Sequence, residues 1–371
     1  MNAKITSIAT IHEFTRQLKE WYEQDHHGFR TMFDAAVANV QPVPEGQDPS
    51  VVYDWKDKGI DDLCQFFHAW YDWLPDIETG LDYIQKFSWL YYENKYGLCF
   101  VTTGPGYEMT KQFVELRGQY FDSPDSVPLV EKWIKELGPL MDQFIVPQGG
   151  FQSYNQFFTR EVKKEYRPVA EIDDDSVVVA PADCVINMIV DRLTEETKVP
   201  VKTVALNVKE LLDNSYYVSY FVGGTAVSCI LMPNMYHRYH SPVTGEVVES
   251  NENVAGEYFG IKDFPDLLDK GDVGYGYDYS VFEHFRRGYL VIKTQRYGYV
   301  GMVPVGLNTV ASVVFVDPLK HITSSDTPVP ITKGDEIGWF AYGGSLNILL
   351  FEEGRFPSLS LLQGQRIGVL E

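Results

Sequence analysis

Basic residues are scarce in this chain. Against 52 aspartates and glutamates stand 31 lysines and arginines, a formal charge of −21 at pH 7. A surface of that sign argues against binding nucleic acid or stable insertion at an anionic bilayer, both of which want basic patches. Cysteine is scarce too. Cys64, Cys99, Cys184 and Cys229 are far apart and form no CxxC pair, which points away from a disulfide framework and from a zinc site. Free thiols in a reducing cytoplasm fit best. No apolar signal region occupies Met1-Asn2-Ala3-Lys4-Ile5-Thr6. Long hydrophobic runs are missing as well. The longest uncharged candidate, 300–316, contains Pro304, Asn308 and two glycines, and it reads as two buried strands.

What is present is ample material for a core. The 371 residues are 44% hydrophobic and 22% charged, as in folded globular proteins of one large domain or two. Residues 1–148 read as helical. Phe14, Leu18, Trp21 and Tyr22 recur with helical spacing, as do Phe29, Phe33, Val37 and Val40. Ile60, Leu63, Cys64 and Phe67 repeat it, and so do Val130, Trp133, Ile134 and Leu137. Ser126 and Pro128 predict a helix start, Gly138-Pro139 a stop. Six of the seven tryptophans fall in this half, which fits a filled helical core better than an aromatic-lined site. From residue 149 the texture changes. After a helix-like segment at 154–162 and a charged connector at 163–175 come short β-branched or aromatic runs at 177–179, 185–190, 216–222, 227–231 and 289–293. Residues 333–338 read as a hairpin. The expectation is an α+β chain, a helical domain at 1–148 followed by a mostly antiparallel β domain at 149–371.

Three polar groups stand out against the apolar runs. Asp183 lies in Pro181-Ala182-Asp183-Cys184, at a strand end. His237 and His240 fall three residues apart in Tyr236-His237-Arg238-Tyr239-His240-Ser241-Pro242. No further ligands accompany them, so a metal site is not expected. His26 and His27 read as surface residues. Ser345 follows Gly343-Gly344 between apolar strands, where small residues permit close approach to the backbone. Asp, His and Ser in this order permit two outcomes: a serine hydrolase, or attack by Ser345 on its own preceding carbonyl. The absence of a G-x-S-x-G elbow and the strand context favour the second.

The chain resembles the phosphatidylserine decarboxylase family over about residues 150–365. Phe157-Phe158-Thr159-Arg160 with Arg167-Pro168, Pro181-Ala182-Asp183, residues 206–212 and Gly223-Gly224-Thr225 are similar to its segments. So are the histidine motif above, Val303-Pro304-Val305-Gly306, residues 333–340 and Gly344-Ser345. The resemblance implies that His240, oriented by Asp183, deprotonates Ser345. The chain would then divide into 1–344 and 345–371, the second capped by a pyruvoyl group made from Ser345. That group takes the substrate amine and acts as electron sink for loss of carbon dioxide, with His237 as candidate proton donor. Cys184 stands where the family has glycine, and Leu346 where it has a small hydroxyl residue. The acidic charge and the aromatic helical half point to the family's soluble branch. The first expectation is therefore a cytoplasmic, dimeric decarboxylase of a free L-amino acid, an aromatic one such as L-tryptophan. Phosphatidylserine is the alternative substrate, and an unprocessed, non-catalytic homologue a further one.

Overall fold

A computed structural model describes residues 8–48, 50–73, 75–77, 79–193, 207–261, 264–265, 284–307, 312–341, 343–360 and 363–364. Residues 1–6, Leu206 and Asn308, used in the reading above, lie outside the described residues.

Helices come first: α1 (Ile11–Glu23), α2 (Phe29–Ala38), α3 (Ile60–Asp72), α4 (Asp82–Ser88), α5 (Lys95–Thr102), α6 (Gly104–Asp122) and α7 (Val127–Leu137). The apolar spacing marks their inner faces. Phe14 and Leu18 on α1, Phe29 and Phe33 on α2, and Leu63 and Phe67 on α3 are all fully buried. Pro128 sits in the first turn of α7, and Gly138 ends it with φ 52°. The tryptophans belong to this core: Trp55, Trp70 and Trp133 are each about 1% exposed. No described helix is long and apolar enough to cross a membrane.

After α8 (Tyr154–Phe158) the chain turns to strands: β1 (Val185–Asp191), then β2 (Thr225–Leu231), β3 (Arg238–His240), β4 (Gly245–Val254), β5 (Arg287–Lys293) and β6 (Tyr299–Leu307). β7 (Val313–Phe315), β8 (His321–Ile322), β9 (Val329–Ile331), β10 (Glu336–Phe340) and β11 (Gly344–Phe351) complete the described set, with short helices α9 (Val208–Leu211) and α10 (Val218–Phe221) between β1 and β2. The larger sheet runs β1-β2-β11-β6-β5-β4-β8, with β9 also on β4. The smaller runs β3-β10-β7. Every pairing among these named strands is antiparallel.

β11 lies between β2 and β6 and is covered on both faces. Leu346, Ile348 and Leu350 join a core that includes the helices. Leu349 and Phe351 join a second core with Phe315, Ile337 and Phe340 of the smaller sheet. Strand alternation places Ser345 and Asn347 on this second face. Each buried leucine or isoleucine contributes about 1.5–3 kcal/mol, so both faces hold the strand in register.

Three local expectations fail. Residues 216–222 hold the short helix α10 rather than a strand. Val218 and Phe221, three apart, are buried while Tyr220 is exposed, and Gly223 with φ 80° turns the chain. Residues 177–179 form no strand; the Val179 N–H donates to the Pro242 carbonyl across 3.0 Å. Lys333-Gly334 is a turn without a hairpin, because β9 pairs with β4 whereas β10 pairs with β3 and β7. The helix at 154–162 is also shorter than its sequence suggests, ending at Phe158.

Gly338 of β10 packs directly against β7. A Cβ there would stand 1.9 Å from the Val314 carbonyl oxygen and 2.9 Å from the Tyr239 hydroxyl. Gly338→Ala is expected to cost about 3 kcal/mol, read by urea unfolding. A loss below about 0.5 kcal/mol would contradict the packing.

Candidate active site

Two motifs hold one another. Arg160, at the end of Phe157-Phe158-Thr159-Arg160, donates to the Asn234 carbonyl at 3.2 Å. Arg238, inside the histidine motif, returns a bond to the Thr159 carbonyl at 2.7 Å and pairs with Glu336 at 2.6 Å. Arg160 is buried, with its guanidinium over the Phe144 and Phe157 rings. The segment carrying both histidines is thereby fixed before any ligand arrives.

His240 ends β3. Its Nδ1 lies 3.0 Å from the Gly334 carbonyl oxygen, which can only accept, so the proton sits on Nδ1. Nε2 then carries the lone pair and accepts from the Tyr236 hydroxyl at 3.0 Å. Burial lowers the pKa of His240, which keeps the ring neutral. This is the tautomer a general base needs. The Lys333-Gly334 turn is itself anchored, because buried Lys333 donates through Nζ to the carbonyls of Glu171, Asp174 and Val177 at 2.7, 2.9 and 3.3 Å.

Asp183 sits just before β1, as expected, but its carboxylate is held by Arg167 in a two-pronged contact, Nε to Oδ1 at 2.7 Å and Nη2 to Oδ2 at 2.6 Å. The group that orients His240 in this structure is the Gly334 carbonyl, not Asp183. The link from residue 183 to His240 runs through the backbone instead, where the His240 N–H donates to the Pro181 carbonyl at 2.7 Å.

His237 precedes β3 and is fully buried, its ring 3.9 Å from that of Phe158. Nδ1 meets the Met235 carbonyl at 3.0 Å, and Nε2 has no partner among the described residues. Burial, aided by Arg160, drives its pKa down to about 3. At neutral pH His237 is therefore an acceptor at Nε2, and any proton it delivers must first be taken up there.

Ser345 is 1% exposed, opposite Leu231 and Gly306. Its hydroxyl has no hydrogen-bond partner among the described residues, so no Ser345–His240 bond is formed. Gly343 has φ 143°, a conformation L side chains rarely adopt, so the turn into β11 requires glycine. The serine thus lies in a dry strand with its hydroxyl uncommitted and a glycine carbonyl beside it. Those residues fit a pyruvoyl precursor. Leu346 points to the opposite face, so this side chain stays clear of the Ser345 side. Cys184 keeps a φ that suits L-residues, and both it and Cys229 are free cysteines. His26 and His27 lie near the surface with ring centroids 4.3 Å apart. Among the described residues no three His, Cys, Asp or Glu side chains could hold a metal ion.

Sequence reasoning passed over Tyr236, Lys333 and Asn347 as individual residues. Tyr236 and Lys333 lie inside quoted motifs, and an amide in an apolar strand was itself a signal. His237 yields a stability test. Its folded pKa lies below the unfolded value near 6.5, so the unfolded chain binds one more proton below that pH. Stability therefore falls as pH drops through the window from 6.5 towards 3. Between pH 7 and pH 5 this group should cost about 2 kcal/mol. Urea unfolding at both pH values should show that loss reduced by this amount in His237→Phe; an equal loss in both chains would refute it.

The sequence model of the phosphatidylserine decarboxylase family matches residues 154–369, more than half of the chain. The phosphatidylserine decarboxylase proenzyme of Clostridium novyi strain NT is 29% identical over 286 residues, 76% of this chain and 87% of the relative. That of Clostridium botulinum strain 657 is 30% identical over 247 residues, 66% of this chain and 75% of the relative. Phosphatidylserine decarboxylase proenzyme 3 of Schizosaccharomyces pombe is 31% identical over 238 residues, 64% of this chain but 22% of that longer protein. The family match takes in the linked motifs, both histidines and the strand bearing Ser345, and the chain belongs to the phosphatidylserine decarboxylase family of carboxy-lyases.

Proposed function

We propose that this chain is a pyruvoyl-dependent decarboxylase of phosphatidylserine that matures by cleavage between Gly344 and Ser345. The observation that carries the reading is the buried Ser345 hydroxyl, uncommitted and next to a glycine carbonyl on the central strand. When Tyr236 yields Nε2, His240 takes the hydroxyl proton there. The Ser345 oxygen forms an ester with the Gly344 carbonyl carbon, the C–N bond breaks, and the proton passes to the freed nitrogen. Removal of the Cα hydrogen of residue 345 then expels Gly344 as a carboxylate. Addition of water with loss of ammonia leaves a carbonyl at 345. That carbonyl supplies the electron sink for carboxylate loss from a substrate bearing an amine. The site is kept dry by the cores on both faces of β11, which strengthens every polar contact within it.

The named relatives support phosphatidylserine over the free aromatic amino acid placed first by sequence. Burial of Trp55, Trp70 and Trp133 in the helical core also removes them as candidates to line a site. The net charge of −21 is a feature that favours a free amino acid. Cytoplasmic placement and a homodimer belong to the same proposal, the former because all four cysteines are unpaired.

Intact mass under denaturing conditions should show two chains, with residue 345 lacking its amine, and Ser345→Ala should remain one chain. Normal cleavage of that variant would sink the mechanism. A wild-type chain that stays whole would favour the hydrolase or the unprocessed homologue. For the substrate, carbon dioxide release from phosphatidylserine vesicles is expected, and release from L-tryptophan alone would reverse the choice.

A further inference from the structure

Asn347 lies two residues beyond Ser345 on the same face of β11. It is fully buried, and among the described residues neither its amide nitrogen nor its amide oxygen has a hydrogen-bond partner. Across the sheet it faces Cys229 and Pro304, the second of which has no N–H. An amide kept unsatisfied in an apolar strand lowers stability, and an apolar residue of similar shape would avoid that cost. Where a residue opposes the pattern of its own strand, a binding role accounts for it.

We propose that Asn347 binds the α-carboxylate of the substrate. The assignment rests on the reading that residue 345 takes the substrate's amine. Alternate residues of a strand are about 6.7 Å apart on one face. A substrate held by its nitrogen at 345 carries its carboxylate one carbon beyond, within reach of the Asn347 amide N–H. Basic side chains around the histidine motif are already engaged: Arg167 with Asp183, Arg238 with Glu336, and Arg160 and Lys333 with backbone carbonyls. A neutral donor remains for the carboxylate. A neutral hydrogen bond is weaker than a charge-assisted one. The amide therefore orients the carboxylate without the ion-pair stabilisation that would oppose its departure as neutral carbon dioxide. Phosphatidylserine and a free L-amino acid share this ammonium–carboxylate pair, so the assignment holds for either.

The test compares wild type with Asn347→Leu and Asn347→Asp, each checked for cleavage by mass. In Asn347→Leu the KM for phosphatidylserine vesicles, or for L-tryptophan if that is what turns over, should rise about tenfold. Inhibition by phosphatidylethanolamine or tryptamine, the corresponding amine without a carboxylate, should not change. Asn347→Asp, which sets carboxylate against carboxylate, should raise KM further. The melting temperature of Asn347→Leu should equal or exceed that of wild type, since an unsatisfied amide has been removed. An unchanged KM in a cleaved, active Asn347→Leu enzyme overturns this assignment alone. So does a lower melting temperature, failure to fold, or product inhibition that weakens in step with KM. A wild-type chain that stays whole overturns the reading of residue 345 and this assignment with it.

Discussion

Burial of β11 on both faces is the constraint on which the site depends. The strand is paired on each edge, with β2 and β6, and packed by the helices on one side and the smaller sheet on the other. Such a strand has no freedom of register, because a slip of one residue would exchange its two faces. Ser345 is consequently placed with the rigidity of a core residue, although its side chain is polar and unpartnered among the described residues. Leu346, conspicuous in sequence because it replaces a small hydroxyl residue, belongs to the other face.

The histidines are held by a different device. They lie on the smaller sheet and its approach, and their rings are fixed by carbonyl oxygens: Gly334 for His240 and Met235 for His237. Carbonyls select a tautomer without adding charge, so burial governs and both rings stay neutral. Arginines and a lysine do the surrounding structural work, each against carbonyls or a carboxylate. A chain short of basic residues thus commits several of them close to its site, and the cationic groups there serve architecture.

Much of this was legible in the sequence. Helical spacing gave α1, α2, α3 and α7, because a face buried every third or fourth residue leaves a clear period. Short β-branched runs gave β1, β2 and β5. The ordered motifs gave the family and pointed to four candidate polar residues. Residues 216–222 misled because aromatic and β-branched composition reads as strand, whereas packing at i and i+3 made a helix. The turn at Lys333-Gly334 misled because local turn chemistry cannot say whether the strands it joins belong to one sheet.

The sequence by itself determined the class of fold and the family, and it singled out Gly344-Ser345, His237, His240 and Asp183 as candidates, since these reside in residue type, spacing and order. Tertiary structure alone decided which groups meet. It gave Asp183 to Arg167 and His240 to Gly334 and Tyr236. It also set Asn347 beside Ser345 with its amide unsatisfied. The reason is physical. Hydrogen bonds are made between groups distant in sequence, and which partner wins depends on distances of a few tenths of an ångström that only the packed cores fix.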